Sequence, residues 1–281
     1  MMNTKKESMT CLICNSETNY YFSKIYTDPP YNVFMTDIGE INYHKCGNCG
    51  FVLSKTHSEL DKKRWEKLNY EVHTYLESPN SIRTGNQPPY LEQAAMLAVL
   101  GRNGLINLES MLDYAAGYGT LSSILMKYFN ISLPLYDPYM KKSDDNRYVE
   151  EGQLTKYQTV LNCAMFEHIT TREDLEYVNN LVDDNGCLII HTVICENIPK
   201  DPDWFLLRFP VHTAFHTNKS MDILMEQWGY ESSVYCPNSK CWILFKKDSN
   251  KIEQIVSAIN KEFQSTYLHY KKGFVDYWKG F

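Results

Sequence analysis

The apolar and polar positions of the chain change period several times. Between residues 20 and 43 apolar residues alternate with polar ones around Asp28-Pro29-Pro30, which predicts short strands and a loop. A polar stretch of helical character covers residues 59–75. A loop rich in Ser, Pro and Asn runs from Ser78 to Pro89. Leu91, Ala94, Ala95, Leu97 and Ala98 then recur at helical spacing and predict a helix over 90–101. An apolar strand ending in Asp113, a small-residue turn, a helix over 121–129 and a short strand over 131–136 follow. Strands are expected at 158–164 and, after a turn at Asp183-Asp184-Asn185-Gly186, at 186–194. An amphipathic helix covers 218–229, and 231–236 with 241–247 form a hairpin around Pro237-Asn238-Ser239. The tail, 248–281, is helical in pattern and ends in aromatics: Tyr267, Tyr270, Phe274, Tyr277 and Trp278. Strand and helix alternate through the middle of the chain, the mark of an α/β fold.

Composition narrows the function. At 281 residues with 43% hydrophobic content, the chain can bury one large α/β domain with an attached module. The formal charge is −6, from 28 basic and 34 acidic residues, and the Lys pairs are scattered. A nucleic-acid partner, which calls for a basic face, is therefore not expected. No apolar window reaches the ~18 residues of a membrane span, and no signal-peptide stretch follows the N-terminus. The expectation is a soluble, cytoplasmic protein whose nine Cys are reduced, so Cys spacing carries information before any disulfide does.

Four of the nine fall as Cys11-x2-Cys14 and Cys46-x2-Cys49. Two such pairs supply four soft ligands, a set suited to tetrahedral Zn2+. Gly47, inside the second pair, and Gly50, just after it, permit a tight turn whose amides can face sulfur. A closed four-ligand shell is structural, whereas a catalytic zinc keeps a position for water. His44 is a minor candidate for ligand replacement.

The segment Asp113-Tyr114-Ala115-Ala116-Gly117-Tyr118-Gly119 places an acid at a strand end and small residues in the turn before a helix. Asp137 ends the next strand, 18 residues after Gly119. An acid there can accept both hydroxyls of a ribose, a feature shared with nicotinamide-dependent enzymes, but the turn is not G-x-G-x-x-G. The stretch resembles the first motif of class I S-adenosylmethionine-dependent methyltransferases, with Ala115 in place of the first Gly. Glu167-His168, just after the strand over 158–164, and the terminal hairpin extend the resemblance over residues 90–247. It implies a Rossmann-like, mostly parallel sheet with an antiparallel C-terminal hairpin. Four segments follow: a zinc module over 1–60, a helical linker and lid over 61–109, a catalytic domain over 110–247 and a helical tail over 248–281.

Carried over by position, the resemblance implies that Asp113, Ala115, Gly117 and Gly119 line the methionine and ribose of S-adenosylmethionine and that Asp137 holds the ribose hydroxyls. It places Gln153 at the adenine, and Cys163 and Ala164 at the sulfonium end. The acceptor side needs a base, and histidine titrates near neutrality. Of eight His, His212 is favoured as general base and His168 is second, with Glu167 able to orient either; His191 reads as core. A zinc module joined to this catalytic domain is similar to sugar methyltransferases, including those that methylate carbon of nucleotide-linked deoxysugars. That group carries Glu-His where this chain has Val211-His212. O-methylation of a sugar, needing one base, is therefore placed ahead of C-methylation of a ketosugar. A ribosomal-RNA methyltransferase and a non-catalytic zinc-containing binding protein are the readings from other classes. The aromatic tail either packs on the domain, covers the pocket or joins a second copy as a homodimer.

Overall fold

The computed structural model of the chain describes residues 8–76, 88–139, 145–163, 165–246 and 249–276. Its N-terminal part holds β1 (Met9–Thr10), β2 (Glu17–Lys24), the short α1 (Tyr31–Phe34), β3 (Ile41–Cys46), β4 (Val52–Ser54), the short α2 (Lys55–Ser58) and α3 (Lys62–Leu76). Next come α4 (Tyr90–Arg102), β5 (Met111–Tyr114), α5 (Thr120–Phe129), β6 (Leu135–Tyr136) and β7 (Tyr157–Cys163). The rest comprises α6 (Arg172–Asn180), β8 (Val182–His191), β9 (Ile194–Cys195), β10 (Ala214–Thr217), α7 (Asn218–Trp228), β11 (Ser232–Cys236), β12 (Cys241–Phe245), α8 (Ser249–Glu262) and β13 (His269–Lys272).

The larger sheet has the order β13-β11-β12-β8-β7-β5-β6. It is mixed, which corrects the mostly parallel sheet expected from the sequence. β6, β5, β7 and β8 run parallel. β12 then enters antiparallel to β8, and β11 and β13 each reverse again. The reversal has a local cause, because the tight turn between Cys236 and Cys241 can only return the chain antiparallel. The tail supplies the remaining reversal: it forms α8 and then the strand β13 along β11, where the sequence pattern reads as helix throughout.

Both faces of this sheet are covered, so its strands read as unbroken apolar runs. Leu112, Val160, Leu188, Ile190 and Leu244 face α6 and α7. Met111, Leu161, Ile189 and Ile243 face α4, α5 and α8. The acidic stretch Asp183–Gly186, read as a turn, lies inside β8 as an irregularity: pairing slips between Tyr157 and Thr159. Gly186 fits there because a Cβ would meet the Gln158 carbonyl oxygen at 2.9 Å.

The smaller sheet has the order β1-β2-β3-β4-β10-β9. The N-terminal strands thus continue into strands from residues 194–217, with Leu53 opposite Ala214. α3 lies on this sheet through Trp65, Leu68 and Val72, spaced for one helix face, among Tyr43, Val211 and Phe215. No described helix is long and apolar enough to cross a membrane.

Candidate functional site

The four cysteines converge as the spacing predicts. Their sulfur atoms all lie within 4.8 Å of one another, with Cys11 to Cys49 at 3.6 Å and Cys14 to Cys46 at 3.4 Å. Four ligands at a Zn–S distance of about 2.3 Å place tetrahedral sulfurs on the order of 3.8 Å apart, so little movement separates this arrangement from a metal shell. The amides of Ile13, Asn48 and Cys49 each point at sulfur at 3.4 Å. The Cys49 thiol beside Cys11 pulls Cys11 down to about 5 and is itself pushed far up. A thiolate is thus favoured inside the cluster, and the thiolate is the form that ligates metal. His44 does not join the cluster.

Helices α6 and α7 grip both knuckles. Arg172 donates to the Leu12 carbonyl at 3.1 Å and Gln227 to that of Ile13 at 2.9 Å. Thr217 donates to the Cys49 carbonyl at 2.5 Å and Lys219 to that of Asn48 at 2.7 Å. A surface cleft of about 850 Å3 also borders this knuckle, lined by Tyr21, Lys45, Glu196 and Lys219 among others. It lies away from the titratable groups described next, and its mixed charges select no ligand.

The second set of residues sits at the carboxyl ends of the parallel strands, where α/β sheets bind ligands. Asp113 is near the end of β5 and buried, and its Oδ1 has no hydrogen-bond partner. Burial, then the neighbouring Asp137, pushes its carboxyl up to about 8. Ala115, Gly117 and Gly119 all adopt positive φ, at 60°, 55° and 69°. For Ala115 this is the left-handed region that an L-residue enters at a cost of about 1–2 kcal/mol. The departure from Gly is therefore accommodated as backbone strain, of the kind that collects at functional turns. At Gly119 a Cβ would meet Leu135 Cδ1 at 2.5 Å.

Asp137 follows β6, and each of its oxygens accepts a backbone amide at 2.8 Å, Oδ2 from Gly117 and Oδ1 from Tyr139. The acid expected to grip a ribose therefore also fixes the turn. The Tyr114 and Tyr136 rings lie tilted to each other at 5.3 Å, with Tyr177 5.8 Å from Tyr114, an aromatic group that the sequence pattern does not mark. Gln153 is exposed and its side chain accepts from the Glu150 amide at 3.2 Å, as the cap of a short 3-10 turn. Cys163 ends β7 opposite His191. Ala164 lies outside the described residues.

The candidate acceptor residues come together beside that end of the sheet. One ligand atom from each of Glu167, His168 and His212 lies within 4.8 Å of the others. The amides of Thr213 and Ala214 donate to the Glu167 carbonyl at 2.7 and 3.1 Å, tying the loop after β7 to the start of β10. The rings of His168 and His212 meet edge to face at 4.9 Å. His212 Nδ1 lies 2.5 Å from the Leu206 carbonyl oxygen and donates to it, so the lone pair resides on Nε2. Burial pushes His212 down to about 4 and Glu167 up to about 7. Thr192 donates to Glu167 Oε2 at 2.7 Å.

His73 on α3 stands 5.2 Å from the His168 ring. The sequence reading missed it because nothing in a polar helix marks one His as facing a site. The neighbouring Cys241 thiol and burial push the Cys163 thiol well up, so it stays protonated at the end of β7. His191 is half-buried and not part of the cluster, while His216 packs between Phe51 and Phe166.

These buried imidazoles dictate a pH response. His57, His73, His191, His212 and His216 are all held near 4 by burial. Between that value and the unfolded pKa of about 6.5 the unfolded chain binds more protons, so stability falls as pH drops through this window. Asp113 and Glu167, raised by burial, act in the opposite sense, losing their contribution as pH rises through about 8 and about 7. The histidines are more numerous, so urea midpoints are expected to fall between pH 6.5 and 4; a flat profile there would contradict this account.

No protein-family model matches the chain, and no curated protein matches it. Among solved structures it is similar to the plantazolicin methyltransferase BpumL, bound to a triazolic desmethylPZN analog and SAH, at 9% identity and TM-score 0.42, over 66% of this chain and 98% of that one. A SAM-dependent methyltransferase from Aquifex aeolicus is 16% identical, with TM-score 0.37 over 60% and 97% of the two chains. A putative O-methyltransferase from Nostoc punctiforme is 14% identical, with TM-score 0.37 over 65% and 69%. All these TM-scores lie below 0.5, so the reading of fold and site rests on this chain's own geometry.

Proposed function

We propose that the protein is an S-adenosylmethionine-dependent methyltransferase acting on a carbohydrate or nucleotide-linked sugar, with the four-cysteine cluster holding a structural Zn2+. The observation that carries this reading is the buried carboxyl of Asp113, whose Oδ1 has no hydrogen-bond partner, beside a turn of three positive-φ residues and next to a cluster of potential proton acceptors. An orphaned buried acid suits the ammonium of a methionine moiety, as a buried charge calls for a partner. When bound, S-adenosylmethionine supplies a methyl group already activated on sulfonium. The chain must then orient the acceptor and take its proton. A carboxylate offers about four acceptor positions, so Asp137 can take ribose hydroxyls beside its two backbone amides. Tyr114, Tyr136 and Tyr177 offer aromatic surface for the adenine.

His212 acts as the base. Its burial keeps the imidazole neutral at pH 7, and the Leu206 carbonyl fixes the tautomer with Nε2 free. His168 and Glu167 orient the acceptor beside it. O-methylation of a hydroxyl is the leading reaction. C-methylation of a ketosugar is kept as the second reading because of Glu167: its carboxyl reaches the His212 cluster although Val211 supplies none. A structural Zn2+ adds folding energy to the knuckles and takes no part in the chemistry.

Calorimetry with S-adenosylhomocysteine and a screen of nucleotide sugars with labelled methyl donor test this directly. Absence of binding to the folded chain would leave a non-catalytic zinc-containing protein as the reading. His212→Gln is expected to cut turnover by about 100-fold, in the range of general base catalysis, with S-adenosylhomocysteine affinity unchanged. Unaltered turnover would remove His212 from the base role.

A further inference from the structure

The Glu167, His168 and His212 cluster has a second property that proton transfer alone does not require. Its three donor atoms face one another within 4.8 Å, yet no hydrogen bond joins the three side chains. Two of them are instead held from behind. His212 donates through Nδ1 to the Leu206 carbonyl. The His168 Nδ1 is buried without a partner, an open donor position inside the cluster. Glu167 accepts the Thr192 hydroxyl on Oε2. Backing of each ligand by a carbonyl or hydroxyl is how proteins orient imidazoles and carboxylates toward a metal. A packed polar core would satisfy these groups against each other, because an unpaired buried polar atom costs about 1–3 kcal/mol.

We propose that Glu167, His168 and His212 form a second metal site, which binds one divalent first-row transition ion through two imidazoles and one carboxylate. The donor set suits zinc, iron, manganese or cobalt, in contrast to the soft four-sulfur set at the knuckles. Three protein ligands leave coordination positions open, and an open position can take water or an acceptor oxygen. The site is rigid for the reasons that place its ligands: the Thr213 and Ala214 amides lock both loops to one carbonyl. His73 overhangs it from α3 as the nearest further imidazole.

The assignment stands on donor geometry and does not depend on the identity of the methyl donor. It does alter the division of labour at the acceptor. In the metal-free cluster His212 takes the proton itself. In the loaded cluster its Nε2 is a ligand, and the ion acidifies a bound hydroxyl in its place.

The test is metal stoichiometry of the full chain. After stripping and reloading with Co2+, wild type is expected to hold two ions: one with thiolate charge-transfer bands in the near ultraviolet, one without. His168→Gln and Glu167→Gln should each drop the count to one and leave the thiolate bands in place. Thr192→Val, which removes only the backing hydroxyl, should weaken the second ion by about 10–100-fold. A wild-type chain that holds one ion, or a second ion indifferent to these variants, overturns the site. Should a ligand variant lose its thiolate bands and fail to fold, Mn2+ titration of wild type by electron paramagnetic resonance decides. One tightly bound equivalent supports the site and none overturns it. Because S-adenosylhomocysteine binding is read separately, failure of this site and failure of the methyltransferase reading are distinguishable.

Discussion

Cys46→Ser is expected to unfold the whole protein in one transition, beyond its first sixty residues. The sulfur of Cys46 accepts two amides and lies 3.4 Å from Cys14, so its loss opens the shell from inside. Structural zinc contributes apparent free energies of about 10–16 kcal/mol in small zinc-dependent folds. A domain's total stability is only about 5–15 kcal/mol. The effect spreads because the knuckles share a core with the larger sheet: Cys11, Cys46, Cys49 and Phe51 belong to one apolar cluster with Leu112, Val160 and Leu188. Arg172, Gln227, Thr217 and Lys219 lose their carbonyl partners at the same moment. Strand β10 would also lose its anchor, because it pairs with β4 and leads directly out of the His212 loop. Far- and near-ultraviolet circular dichroism should therefore melt together and well below wild type, by more than about 10 °C. A variant that melts within a few degrees of wild type, or loses only near-ultraviolet signal, would show the cluster to be dispensable.

Local patterns were legible in the sequence, and pairings over long distances were not. The spacing of Leu91, Ala94 and Leu97 locates α4 to within a residue of its end. Gly229, at φ 71°, ends α7 where the helical pattern stops. Cys-x2-Cys geometry transfers to space because it is fixed within a turn. By contrast, nothing in residues 41–54 announces that β4 pairs with residues 214 and 215, since register depends on a partner 160 residues away. The strand β13 was hidden for a related reason. Its residues, His269–Lys272, are polar and form an edge, so they lack an alternating apolar signature and are held by backbone bonds to β11. At the site, Glu167, His168 and His212 were selected by residue type and position, and the fold brings them together. His73 and Tyr177 escaped notice because each lies on a helix whose pattern reports core packing only.

Asp137→Ala is expected to weaken S-adenosylhomocysteine binding on the order of 10²–10⁴-fold. Two charge-assisted hydrogen bonds to ribose hydroxyls contribute about 1.5–3 kcal/mol each, and every ~1.4 kcal/mol is tenfold in affinity. The structure adds a second route to the same loss. Asp137 Oδ2 holds the Gly117 amide and Oδ1 that of Tyr139, so the alanine variant also frees a turn in which three residues have positive φ. The two routes separate with an analogue lacking the 2′-hydroxyl. If the carboxylate grips the ribose, removing that hydroxyl should weaken binding to wild type and have little further effect in Asp137→Ala. If the acid only shapes the turn, the analogue should lose the same factor in both proteins. Asp137→Asn refines the answer, because its amide oxygen can keep one backbone donor while its NH2 group cannot accept the other. A folded Asp137→Ala chain that binds S-adenosylhomocysteine as tightly as wild type would take the cofactor role away from this strand end and leave Asp113 with its turn as the sole ground for a methyl donor beside His212.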